Sequence, residues 1–317
     1  MGIQYSKSTP REDLGIALHQ FDAAEAGFIA TRILPLRAVR KIKANIAQIQ
    51  RENWTKATRT KRQAGGAFPR VHMRAEDTSY SCELYGLEAP LADEDRAQYE
   101  DEFDAELELT GLINQMLLWD LELEVKDLIF NTTTWSGTSL YTDTSTDWDN
   151  AASDIIGDIE GAKEYVRKNS GGIANALIIS AATLVNMKKN TAIKARFPGI
   201  GALTEDVLVS NLPAIFGLPQ IIVGGKVYNS ADEGQTFTSA DIWPDDYAMI
   251  CRVNSPGDSL WTPGLGRTFA WSPVASDILA TDQYREEQTK SDIFRVEHAV
   301  DPVVLNKYCG HLLLIDA

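Results

Sequence analysis

Residues 32–127 of this 317-residue chain divide into two blocks of opposite charge, and the division limits what each block can become. From 32 to 74 there are twelve basic residues and a single acid, Glu52, a net of +11. From 76 to 127 there are seventeen acids against Arg96 and Lys126, a net of −15. A block so rich in one sign cannot bury itself, because unpaired buried charge is too costly. Each block must therefore lie at the surface or meet charge of the other sign. Complementary potentials steer encounter and fix register between copies.

The remainder of the composition is that of a globular chain, with 44% hydrophobic and 24% charged residues. Its length allows two modest domains or one elaborate one. No apolar run approaches the roughly 20 residues of a membrane span. The first residues, MGIQYSKSTPRED, contain no apolar signal core. The net charge of −15 speaks against general nucleic-acid binding, although the +11 block leaves a local basic surface. Cys82, Cys251 and Cys309 are far apart and form no CxxC pair, so buried, reduced thiols are expected.

Residues 1–30 read as an arm, ending in the strand-like run 28–36, FIATRILPL. The basic block reads as a long projecting hairpin with its turn at Gly65-Gly66. Val71, Met73 and Ala75 alternate with Arg70, His72 and Arg74, which predicts a returning strand. Residues 93–130 contain no proline and predict one long helix, with Leu117, Leu121 and Val125 on one face. The Leu-Glu alternation over 121–125 also suits a strand. Residues 132–150 form a Thr/Ser/Asp-rich loop with Trp135 and Trp148 as anchors, and a helix follows, capped near Asp149 or Asn150 and ended by Gly171-Gly172. Strands are expected at 176–179, 220–223, 241–253, 291–304 and 310–315, and helices at 181–190 and 207–216. Helices and strands mixed without a βαβ rhythm point to an α+β fold.

Chemistry is scarce. There is no GxSxG, no phosphate-binding GxxxxGK[ST] and no GxGxxG. His19, His72, His298 and His311 have no metal-ligand spacing and read as surface or satisfied core histidines. Asp143, Asp147 and Asp149 could attract a cation, but they lack calcium-loop spacing and a closing glutamate. The pattern points to no enzyme, no cofactor and no resident metal.

The order of segments resembles the major capsid proteins of tailed phages, with the Hong Kong 97-type fold. The resemblance is carried by 28–36, by YGLEA at 85–89 leading into the long acidic helix, by NALIIS at 175–180, GLPQIIVG at 217–224, VYN at 227–229, DIWPDD at 241–246 and GHLLLIDA at 310–317. It implies an N-terminal arm (1–35), an extended basic hairpin or E-loop with flanking strands (36–90), a spine helix and connection (91–147), an axial domain (148–272), and strands returning to the peripheral domain (273–317). It further implies a structural subunit forming hexamers and pentamers of an icosahedral virion around double-stranded DNA, assembled in the host cytoplasm. Its partners would be copies of itself, a separate scaffolding protein, a portal and a decoration protein. Arg59, Lys61, Arg62 and Arg70 of one copy would then face Glu100, Asp101, Asp104 and Glu108 of the next. Covalent Lys–Asn cross-links of some members would start from Lys56 or Lys61, but no acceptor asparagine or catalytic glutamate matches here. Two alternatives remain: an encapsulin-like nanocompartment shell, and a soluble acidic hydrolase or metal-binding module using the Asp143 to Asp149 loop.

Overall fold

Asp104 starts the longest element: its carboxylate accepts from the N–H groups of Glu106 and Leu107 at 3.2 and 3.3 Å, capping helix Ala105–Ile129. In this computed structural model, residues 9–10, 27–49, 51–57, 60–63, 68, 70, 72, 74–99, 104–137, 140–196, 205–232, 234–274 and 279–315 are described. The long helix has 25 residues, hence a length of about 37 Å. The single helix expected over 93–130 is corrected, since Asp93–Tyr99 is a separate helix and the Asp104 cap begins a new one. Residues 121–125 are helical, because that periodicity buries Leu117, Leu121 and Val125 on one side.

This helix packs on a six-stranded sheet. The 14-residue strand Ser291–Val304 is its axis, pairing antiparallel with Glu83–Ala92 on one side and with Ala280–Glu286 and then Gly266–Trp271 on the other. Ile113 and Leu117 of the helix cover Val296 of that strand. Leu36–Val39 flanks Gly266–Trp271 in parallel, and Thr9–Pro10 flanks Ala280–Glu286 antiparallel.

A five-stranded sheet runs Tyr141–Asp143, Gly310–Leu314, Tyr247–Cys251, Ala176–Ser180, Gln220–Gly224. Helix Ile155–Ser170 packs on it through Ile155, Ile159, Ala162 and Val166. Its N-cap is Asp154 rather than Asp149 or Asn150, and it ends on Gly171 in the left-handed conformation (φ 69°) that glycine adopts without strain. Trp135 and Trp148 are buried anchors, their indole N–H groups donating to the Ile129 carbonyl (2.7 Å) and the Asp158 carboxylate (2.9 Å). Of residues 273–317, expected to return to one domain, Ser291–Val304 lies in the six-stranded sheet while Gly310–Leu314 lies in the five-stranded one.

The arm meets the body at one buried carboxylate. Glu122, on the long helix, accepts from the N–H of Ile29 (3.0 and 3.1 Å), the N–H of Ala30 (2.8 Å) and the indole N–H of Trp243 (2.6 Å). It supplies the cap that Ile29 lacks, so the run expected as strand over 28–36 instead makes the helical turn Ala30–Ile33 before strand Leu36–Val39. Trp243 is held by a second constraint, for a Cβ on Gly224 would lie 2.3 Å from its ring. Around this junction the largest core cluster joins Ile29, Ile33, Leu121, Val125, Trp243, Met249 and Leu312.

Glu122→Ala leaves three buried donors without an acceptor, and should lower the unfolding free energy of the unassembled subunit by about 3 kcal/mol or more. Glu122→Gln keeps one acceptor oxygen and should cost about half as much. Urea denaturation checks both; an alanine variant within about 1 kcal/mol of wild type would show that the junction does not hold the arm.

Candidate inter-subunit surface

The basic block does form a hairpin at its base. Among the described residues, Lys43–Ile49 and Ala75–Ser81 pair only with each other, in a two-stranded sheet. Tyr80 stacks on Phe269 (centroids 4.6 Å apart) and donates its hydroxyl to the Lys41 carbonyl, while the Ser81 N–H donates to Asp301 (2.6 Å). The ladder stops at Ala75 because Asn53 takes both backbone groups of Arg74, donating to its carbonyl at 2.6 Å and accepting its N–H at 3.4 Å. The returning strand expected from Arg70 onward therefore begins five residues later, and the outgoing leg contains the helical turn Arg51–Thr55.

Lys61, Arg62 and Arg70 are solvent-exposed, as expected of a hairpin that does not bury itself. Arg62 lies over the ring of Phe68 at 3.9 Å, and Phe68 is itself 75% exposed. Arg59 and the turn residues Gly65 and Gly66 lie outside the described residues, as do Glu100 and Asp101. Asp104 is exposed but spends its carboxylate on the helix cap, whereas Glu108 faces solvent. Among the described residues, no ion pair joins Lys61 or Arg70 to Asp104 or Glu108.

Part of the acidic block is already neutralised inside the chain, which sequence reasoning missed. Arg285 grips Asp93 with two bonds (2.7 and 2.6 Å) and reaches Asp292 at 3.4 Å; its guanidinium holds the Asp93 carboxyl below its usual range. Arg96 bridges Glu106 (2.7 Å) and Asp292 (2.8 Å), and Arg295 reaches Glu88 at 3.1 Å. Strand pairing of residues 83–92 with 291–300 brings Arg285 to Asp93, Arg96 to Asp292 and Arg295 to Glu88 across some two hundred residues, so no local pattern signals these three. Glu94, Asp95, Glu108, Asp120 and Asp127 stay exposed.

A second acidic group lies where the long helix crosses strand Glu83–Ala92. Burial first, then the charges of Asp301, Asp120 and Glu83, push Glu124 up to about 7. Burial likewise raises Asp301, against the Ser81 N–H bond. The same carboxylates, after burial, raise Tyr85, which meets His298 edge-on at 5.3 Å. His298 and His311 are buried and held down to about 4, hence neutral, and the Nδ1 of each lacks a partner, so they are less satisfied than expected. Cys82, Cys251 and Cys309 are buried free thiols, raised by burial. No group of three His, Cys, Asp or Glu side chains able to hold a metal occurs among the described residues; Asp143 and Asp149 simply face solvent. No helix among them is long and apolar enough to cross a membrane.

Comparison with known proteins places this geometry. No family profile matches the chain. A major capsid protein of Burkholderia phage BcepMu is 26% identical over 299 residues, covering 91% of each chain. A phage-related protein from Bordetella bronchiseptica superimposes with a TM-score of 0.74 at 18% identity, over 97% of both chains. The capsid structure of cyanophage P-SCSP1u gives a TM-score of 0.56 at 13% identity, covering 89% of this chain and 86% of that one. This chain has the Hong Kong 97-type capsid fold. The expected reading, a phage major capsid protein, stands on the sequence relative and the fold together, and the sequence relative favours the phage head over the encapsulin-like alternative.

Glu124 supplies a pH signature. A carboxyl raised in the folded state stabilises it below the ordinary value of 4.5, and that contribution is lost as pH rises through about 7. Wild type should therefore lose stability relative to Glu124→Gln between about pH 4.5 and 8. Urea midpoints of both proteins at half-unit pH steps check this; two parallel curves would contradict the burial argument.

Proposed function

We propose that the chain forms hexamers and pentamers of an icosahedral phage head enclosing double-stranded DNA, with the basic hairpin of each subunit laid on the acidic surface of its neighbour. In this reading the six-stranded sheet, the long helix and the hairpin make the peripheral domain, and the five-stranded sheet with its helices the axial domain. The observation that carries it is the exposure of Lys61, Arg62 and Arg70 on a hairpin whose strands, among the described residues, pair only with each other, in a chain whose exposed acids include Glu94, Asp95, Glu108 and Asp120. Such charges contribute little to the stability of one subunit but set register when two meet. Acidity of the whole, −15, also suits a wall that releases its DNA. Scaffolding, portal and decoration proteins and assembly in the host cytoplasm follow from the capsid family rather than from any residue here.

Screening falls from about 8 Å at physiological salt to about 3 Å at 1 M, so assembly of purified subunits should drop steeply over that range. Lys61, Arg62 and Arg70 changed together to Glu should leave the subunit's melting temperature within a few degrees of wild type and abolish particles in electron micrographs and light scattering. Megadalton particles in equal yield from the triple variant, or at both salt concentrations, would remove the charge-pairing account.

A further inference from the structure

The outer side of helix Ala105–Ile129 carries one row at strict i, i+4 spacing: Glu108, Leu112, Met116 and Asp120. All four are exposed, Leu112 with 47% of its surface and Met116 with 42%. Residues four apart stand one above the other on a helix, so the row reads acid, apolar, apolar, acid over about 18 Å. Ile113, Leu117, Leu121 and Val125 make the buried face, which leaves Leu112 and Met116 turned outward. Among the described residues, no ion pair neutralises Glu108 or Asp120. One exposed leucine is ordinary, but two apolar side chains framed by acids on a single row form a small apolar patch with a negative rim.

The hairpin carries the complementary composition. Phe68 is more exposed than any other large apolar side chain among the described residues. Arg62 lies over its ring, and Lys61 and Arg70 are exposed on the same hairpin, so an apolar centre again has charged flanks, now positive. Aromatic rings, arginine and methionine are the side chains that interfaces concentrate at their centres, and a thioether adapts its shape to a ring. In a lone subunit both patches leave apolar surface in water, so neither contributes to its fold.

We propose that Phe68, with Arg62 stacked on it, seats on Leu112 and Met116 of a second copy of this chain, where Lys61, Arg62 and Arg70 meet Glu108 and Asp120. The inference rests on the shell reading above and adds to it an apolar anchor. Exposed ion pairs steer the encounter and set its register but contribute little affinity, and the buried ring supplies what they lack.

The test removes the anchor and keeps the charges. Phe68→Ala should leave the free subunit's melting temperature within about 2 °C of wild type and lower particle yield at physiological salt about tenfold or more. Phe68→Leu, which stays apolar, should keep the yield within about threefold of wild type. Leu112→Gln with Met116→Gln, both good helix formers, should reproduce the Phe68→Ala defect. A benzophenone amino acid in place of Phe68, photoactivated in particles mixed from light and heavy subunits, should link one copy to residues 105–120 of another. Normal yield from Phe68→Ala or from the double glutamine variant would overturn the inference, even if the latter failed to hold some other capsid component. So would a free Phe68→Ala subunit that melts more than 5 °C lower, or links that fall elsewhere or within one copy. If the Glu variant of Lys61, Arg62 and Arg70 still failed to assemble, the charge-pairing reading would survive that loss. Wild-type protein that forms no particle, with or without a scaffold, would instead sink the shell reading and this inference with it.

Discussion

The buried carboxylate of Glu122 is the contact on which the architecture turns. It sits on the long helix and accepts from the arm and from Trp243, which precedes strand Tyr247–Cys251 of the five-stranded sheet. Burial raises its pKa while the Ile29, Trp243 and Ala30 donors and the charge of Lys226 pull it back. Those donors offset the desolvation cost only while all three are in place, so the arm, the helix and the second sheet are fixed together or not at all. Lys226 strengthens the junction from outside, lying over the rings of Phe28 at 4.6 Å and Trp119 at 5.9 Å. With the arm fixed at Ile29, strand Leu36–Val39 enters beside Gly266–Trp271 and delivers the chain to the base of the hairpin.

From that base the logic is electrostatic. The hairpin is anchored by Tyr80, Cys82 and Phe269, an apolar footing that leaves Lys43, Lys56, Lys61, Arg62, Arg70 and Arg74 outward. The acidic block has two uses. Asp93, Glu88 and Glu106 are consumed by Arg285, Arg295 and Arg96 in holding the helix and sheet together, while Glu94, Asp95, Glu108, Asp120 and Asp127 face solvent. A chain needs only the first use to fold; the second, with the exposed hairpin, is what a self-assembling subunit requires.

Much of this was legible in the sequence, and the failures have identifiable causes. The buried strands Ala176–Ser180 and Gln220–Gly224, the long strand Ser291–Val304 and the closing strand Gly310–Leu314 announce themselves through continuous or alternating apolar runs. Gly171 marks its helix end through the backbone geometry that only glycine adopts freely. The arm was misread as strand because its helical turn is capped by Glu122, 92 residues away. The hairpin's returning strand was placed too early because Asn53 captures Arg74 across the loop. Charge counts revealed the two blocks but not their internal pairing, since Arg285 and Arg295 come from the far end of the chain.

The most direct measurement is zero-length carboxylate–lysine cross-linking of particles assembled from an equal mixture of isotopically light and heavy subunits, read by mass spectrometry. The account requires mixed light–heavy peptides joining lysines of residues 32–74 to acids of residues 76–127. Particles whose links between the blocks are all light–light or heavy–heavy would show that the two blocks meet within one chain, and links between copies that avoid both blocks would show that assembly does not use them.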